Sequence, residues 1–378
     1  MKHLGDITKI NGAELEPVDV IIGGSCCQNF SRAGNRKGLA GEQSGLYLEQ
    51  LRVVKEMRDN DIRNGRTGFY VRPRYMLWEN VPGAFSTNKG ADFETVIKET
   101  IRVIESEAPP VLMPPNGWPT SGCVYSDMGK WSLAWRVLDA QFWGVPQRRK
   151  RIALIIDFGG MSAPEILFER KGMRWNTEKS GTARQEIAND LGKSFDVAVF
   201  DARGNGDGKT VCTITGDHES RITDYTAICV GNGQVNSALD MTFDVCQTLN
   251  CMHDPMAILH KGFVRRLTPL ECERLQGFED GWTDIGEWVD TKGKRHKESS
   301  DAARYKAIGN SIALPPWKYI LKRISAQYER NATLGSLFDG IGGFPFLWEQ
   351  INGKGSARWA SEIEEFPIAV TRYHFGDS

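Results

Sequence analysis

Val18-Asp19-Val20-Ile21-Ile22-Gly23-Gly24-Ser25-Cys26-Cys27-Gln28-Asn29-Phe30-Ser31-Arg32-Ala33-Gly34 is the stretch whose reading decides the fold. Val18 to Ile22 is a short apolar run bounded by glycine, which predicts a buried strand. A strand that stops on two glycines and then presents a thiol and small polar groups suits chemistry, because ligands bind at strand ends in open α/β sheets. The plainer alternative is a glycine-rich turn with two core cysteines, the commonest fate of a free thiol.

Further strand-and-turn units lie on both sides. Gly5-Asp6-Ile7-Thr8 reads as the end of a strand, with Asp6 placed to face a ligand or, just as often for a loop aspartate, solvent. Gln43 to Met57 has the apolar spacing of an amphipathic helix. Arg74 to Gly83 reads as a strand ending in Glu79-Asn80-Val81-Pro82, where Pro82 stops pairing and Glu79 is an acid–base candidate or a plain surface glutamate. Trp131 to Asp139 and Arg151 to Asp157 read as two more strands. Between them Arg148-Arg149-Lys150-Arg151 would suit a phosphate or a base carbonyl, or form a solvated basic edge.

From Gly172 to Gly262 the texture changes to Gly, Thr, Asn and Asp with short β-like pieces, Asp196 to Phe200 and Tyr225 to Val230 among them. Loops of this kind can read a partner surface. Order returns at Phe263, and Thr268-Pro269-Leu270-Glu271 is a helix start with a capping box. Lys292 to Lys297 reads as a charged loop, and Trp317 to Tyr328 as a helix. Thr333 to Phe338 then forms a strand, followed by Asp339-Gly340-Ile341-Gly342-Gly343 and a helical run from Phe344 to Gln350. Strand, glycine turn, helix is a nucleotide-cofactor arrangement, and Glu362, after a strand at Ala357 to Ser361, is placed to bind ribose hydroxyls.

The totals set bounds. At 378 residues the chain exceeds one ordinary core, which predicts two domains. No apolar run approaches the ~18 residues of a membrane span, and Met1 to Asp6 lacks the apolar core of a signal peptide, so a soluble, cytoplasmic protein is expected. A net charge of −1, from 47 basic and 48 acidic residues, excludes a globally basic binder but not a basic cleft. The cysteines form no CxxC pair, so free thiols and no metal are expected.

Taken together, these motifs resemble the DNA cytosine-5 methyltransferase family. The resemblance rests on Phe338-Asp339-Gly340-Ile341-Gly342-Gly343, Glu362, Gly5-Asp6-Ile7, Gly24-Ser25-Cys26-Cys27-Gln28, Glu79-Asn80-Val81 and Gln147-Arg148-Arg149-Lys150-Arg151. It extends to Arg265-Arg266-Leu267-Thr268-Pro269, Gln276-Gly277-Phe278 and Gly309-Asn310-Ser311. It implies an α/β fold: a doubly wound, mostly parallel, Rossmann-like methyltransferase sheet plus a smaller loop-rich target-recognition domain. The expected boundaries are 1–160 and 302–378 for the catalytic domain and 161–301 for target recognition. Family members usually open with the glycine turn, which here comes last, so a circular permutation is expected. Cys26 stands where the family has proline.

The resemblance assigns roles. S-adenosylmethionine would be the cofactor, held by Phe338 to Gly343, Glu362, Ile363, Asp6, Ile7, Asn310 and Ser311. Cys27 would attack C6 of a cytosine flipped out of duplex DNA, Glu79 with Asn80 would engage its ring, Arg151 its O2, and Arg149 the thiol loop or a phosphate. Gln28, Ser31, Arg32, Thr248, Arg265 and Arg266 would contact DNA. The expected state is a bacterial or phage-encoded monomer, with a separate restriction endonuclease as a candidate partner and no membrane contact. The rivals are a transfer-RNA cytosine methyltransferase, which would lack the large variable domain, and a DNA-binding protein that has lost catalysis. A nicotinamide oxidoreductase shares the glycine turn but explains neither Cys27 nor Glu79-Asn80-Val81.

Overall fold

The computed structural model describes residues 1–25, 45–107, 111–168 and 267–376, together with the backbone of four short strands between 230 and 266. In chain order the strands are β1 Lys2–His3, β2 Val20–Gly23, β3 Tyr75–Asn80, β4 Ser121–Tyr125, β5 Ser132–Asp139 and β6 Lys150–Asp157. Four follow by backbone alone: β7 Val230–Gly231, β8 Asp240–Met241, β9 Ala257–His260 and β10 Phe263–Arg266. The last are β11 Trp288–Val289, β12 Arg295–His296, β13 Leu334–Leu337 and β14 Ala357–Ser361. The helices are α1 Leu46–Arg63, α2 Ala91–Arg102, α3 Ala163–Leu167, α4 Pro269–Gln276, α5 Asp301–Asn310, α6 Leu314–Ser325, α7 Gly343–Asn352 and α8 Glu365–Phe375.

Eight strands form the main sheet in the order β1-β14-β13-β2-β3-β6-β5-β4. The five from β1 to β3 run parallel, and β6, β5 and β4 are each antiparallel to the strand before them. Neighbouring residues of the central strands go to opposite faces. Val20, Ile22, Tyr75 and Leu77 join a core with α3 to α8. Ile21, Met76 and Trp78 join one with α1 and α2. A sheet covered on both faces needs apolar residues at every position, which is why β2 and β3 read as continuous apolar runs.

The strands at Ala357–Ser361 and around Tyr75, Ser132 and Lys150 form where the sequence predicts them. Two features differ. The first strand ends at His3, and Ile7 to Lys9 is a 3-10 turn capped by Asp6. The segment expected as a charged loop, Lys292 to Lys297, supplies part of the turn and the whole second strand of the β11–β12 hairpin. Leu267, Cys272, Leu275, Phe278 and Trp282 share the core of β2 and β3. Asp196 to Phe200 lies outside the described residues, and Tyr225 to Val230 enters them only at β7.

Candidate active site

The parallel register brings five strand ends to one edge. Gly23 pairs with Leu337 and Trp78, Leu337 with Ser361, and Ala360 with His3. The residues that follow, 4–6, 24–25, 79–80, 338–343 and 362–363, therefore line the same carboxyl edge. The chain leaves β13 toward β14 and leaves β2 toward β3, so the boundary between β13 and β2 is the switch point at which such sheets bind ligands.

The approach to the thiol loop is tightly held. A Cβ on Gly23 would lie 2.3 Å from Gln50 Oε1, and one on Gly24 would lie 2.9 Å from Glu79 Oε2. Gln50, fully buried on α1, donates Nε2 to the Leu77 carbonyl at 3.2 Å. Ser25 is gripped twice: Trp78 Nε1 donates to its Oγ at 2.9 Å, and Asn80 Nδ2 to its carbonyl at 3.2 Å. Asn80 Oδ1 in turn accepts from Val81 N at 2.8 Å. Sequence reasoning missed Ser25, Trp78 and Gln50 as supports; the paired glycines were the one local signal. Cys27, Gln28, Ser31, Arg32 and Thr248 lie outside the described residues, and Arg265 and Arg266 are described by backbone alone.

Glu79 and Arg151 meet across the antiparallel β3–β6 pair. Arg151 Nε sits 2.8 Å from Glu79 Oε1, with both side chains 14% exposed. Arg151 Nη1 also donates to the Lys150 carbonyl at 2.9 Å. A charge-assisted bond largely shielded from water fixes both groups in one geometry. Arg149 is buried, and donates through Nη2 to the carbonyls of Gly309, at 3.1 Å, and Ser311. It thereby ties the basic run to the segment after α5, where Asn310 is exposed and Ser311 buried.

The glycine turn follows β13. Phe338, Gly340 and Gly342 have φ of 55°, 57° and 80°, and for a non-glycine such as Phe338 this left-handed conformation is strained. Gly340 N donates to Glu362 Oε2 at 2.7 Å, while Glu362 Oε1 accepts from the amides of Ile363 and Glu364 at 2.7 and 3.0 Å. Asp339 is buried beneath the turn, accepts from Ser336 Oγ, and has its carboxyl pushed up to about 7 by burial, with Glu362 adding to the shift. A Cβ on Gly340 would meet nothing within 4 Å. That open space, the adjacent Glu362 carboxylate and the 68% exposed Ile363 suit a ribose carrying a flat heterocycle. Asp6 lies along the same edge, its carboxyl held below the usual range by the Thr8 amide and hydroxyl. Ile7 is 3% exposed and packs into the core beneath α1. Among the described residues no cluster of His, Cys, Asp or Glu could hold a metal ion, and no helix is long and apolar enough to cross a membrane.

A family model described as "C-5 cytosine-specific DNA methylase" matches residues 1–103 and 124–326. Among curated relatives, a "DNA N-6-adenine-methyltransferase" of Escherichia phage P1 is 28% identical over 85% of this chain and 55% of its own length. The chain thus spans about half of that relative. "Type II methyltransferase M.HhaI" of Haemophilus parahaemolyticus is 24% identical over 86% of this chain and 81% of its own. A solved structure, a putative DNA modification methyltransferase encoded within an E. coli prophage, is 17% identical with a TM-score of 0.41, covering 85% of this chain and 84% of that one.

Proposed function

Since this chain belongs to the C-5 cytosine-specific DNA methylase family, we propose that it transfers a methyl group from S-adenosylmethionine to C5 of a cytosine in duplex DNA. The observation that carries this reading is the Glu79–Arg151 pair at the carboxyl edge, with Glu79 Oε2 facing Gly24, three residues before Cys27. C5 of cytosine is too weak a nucleophile to take a methyl group unaided. Addition of the Cys27 thiolate at C6 would make the ring enamine-like, and a cationic group beside a thiol favours the thiolate. Glu79 engages the N3 side of the ring and Arg151 the O2 side. C5 then takes the methyl group, a base removes the C5 proton, and elimination returns the Cys27 thiolate.

The cofactor supplies an electrophilic methyl on a sulfonium. Gly340 and Gly342 would let it approach the backbone, Glu362 would take its ribose hydroxyls, and Ile363 would cover its heterocycle. A carboxylate has about four acceptor positions, so the three amide bonds at Glu362 leave room for a hydroxyl. The target base would be flipped out of the duplex to reach Cys27, with sequence read by residues 172–262.

Circular permutation belongs to the same reading. The family match ends at 326, whereas β13 and β14, which carry the glycine turn, begin at 334 and 357 yet sit between β1 and β2. The Met1 amino group donates to the carbonyls of Phe375 and Gly376 at 3.2 and 3.4 Å, so a join there would need little movement.

The test is incubation of duplex DNA with isotopically labelled S-adenosylmethionine, followed by nucleoside chromatography and bisulfite sequencing. Label in 5-methylcytosine, and a covalent complex with DNA carrying 5-fluorocytosine, are the expected results. Label only in N6-methyladenine, or in RNA alone, would overturn the reading.

A further inference from the structure

The glycine turn that would hold the cofactor has a weakness. Gly340 and Gly342 flank Ile341 and both lie in the left-handed region, where glycine is conformationally free and neighbouring peptide planes can rotate at little cost. The peptide before Gly340 is held by the Glu362 carboxylate at 2.7 Å. The peptide between Ile341 and Gly342 donates its N–H to the Asp339 carbonyl at 3.2 Å. Its carbonyl is held from far along the chain: Trp282 Nε1 donates to Ile341 O at 2.9 Å in a buried setting.

Trp282 has little freedom to let go. It is 4% exposed, and His374 stacks on its indole at 3.6 Å between centroids and 5° between planes. His374 Nε2 also lies 2.8 Å from the Trp282 carbonyl. The amides on either side of Trp282 both bond to one fully buried carboxylate: Gly281 N to Glu273 Oε2 at 2.8 Å and Thr283 N to Glu273 Oε1 at 2.9 Å. The indole N–H is thus aimed at the glycine turn by a backbone clamp below and a ring stack beside it.

We infer that Trp282 is a positioning residue for the cofactor turn: its indole N–H locks the Ile341–Gly342 peptide in the orientation that receives S-adenosylmethionine. The inference rests on the cofactor reading above. Preorganising a binding turn raises affinity by removing the entropy of ordering it on binding. Losing the N–H should therefore weaken cofactor binding without touching DNA binding.

Two variants test this: Trp282→Phe, and the full chain with 3-benzothienylalanine at 282, which keeps the bicyclic ring and lacks the N–H. Calorimetry with S-adenosylhomocysteine should show Kd raised about tenfold in both, because the freed peptide must be ordered on binding. Duplex DNA affinity should stay near wild type, while the isostere's melting temperature should fall by no more than the few degrees that one lost buried hydrogen bond costs. If Trp282→Phe does not fold, the isostere decides. Unchanged cofactor affinity in the isostere overturns the inference, as does a parallel fall in cofactor affinity, DNA affinity and melting temperature. Wild-type protein that binds no S-adenosylhomocysteine removes the cofactor reading and this inference together. Wild-type binding with indistinguishable variants removes this inference alone.

Discussion

Glu79 and Arg151, on antiparallel neighbours β3 and β6, are joined by a 2.8 Å bond between Oε1 and Nε where the parallel half of the sheet meets the antiparallel half. In Glu79→Gln the amide retains the shape and loses the charge and the proton-handling capacity. Methyl transfer should fall by about 10²–10⁴, the usual worth of a positioned acid–base group. Duplex DNA affinity should hold within a few fold. Single-turnover transfer near the wild-type rate would remove Glu79 from the chemistry.

Asn80 bonds the Ser25 carbonyl, two residues before Cys27, and the Val81 amide. Asn80→Leu leaves the buried Ser25 carbonyl and the half-buried Val81 amide without that partner. Each costs about 1–3 kcal/mol, so urea unfolding should show a loss of that order. The rate of trapping on 5-fluorocytosine DNA should fall as well, since Ser25, two residues before Cys27, loses its anchor. A variant that loses stability but traps at the wild-type rate would limit Asn80 to folding.

Asp339 gives a pH signature. Its carboxyl titrates near 7 in the folded protein because burial disfavours the charge, against 3.8 for an ordinary aspartate. The folded state therefore keeps a proton that the unfolded chain releases. The stability held below the ordinary value is lost as pH rises from about 4 through about 7. Asp339→Asn removes this dependence, so its stability relative to wild type should grow across that window by up to about 4 kcal/mol, at 1.4 kcal/mol per unit. Parallel stability–pH curves for the two proteins would contradict the assignment.

Asp19 has the opposite sign. Burial alone would raise its carboxyl, but the Arg330 guanidinium at 2.8 and 2.6 Å and the Thr333 amide and hydroxyl at 2.8 and 3.0 Å bring it below the usual range. The unfolded chain takes up a proton first on acidification, so this stability is present above about pH 4 and lost below it. Arg330→Gln should cost about 1–3 kcal/mol at neutral pH, from a charge-assisted bond to a buried carboxylate. It should also flatten the acid limb of the denaturation curve. Because Asp19 precedes β2 and Thr333 precedes β13, the same variant tests the joint that lets the late segment enter the centre of the sheet.

Local pattern alone determined the elements that carry the site. The apolar run before Gly23, the strand before Glu79 and the Thr268–Glu271 capping box are set by spacings of one to four residues, and the structure has each where the spacing puts it. The glycine turn after Leu337 was legible for the same reason, since left-handed backbone at Gly340 and Gly342 favours a residue without a Cβ. Partnership was decided by tertiary structure. Nothing near Arg151 says that it bonds Glu79, nothing near Arg149 names Gly309 and Ser311, and nothing near Trp282 points to Ile341. These contacts join residues 59 to 162 positions apart. They exist because burying both faces of one twisted sheet leaves a single arrangement in which those groups meet, a property of the whole core that no short window of sequence contains.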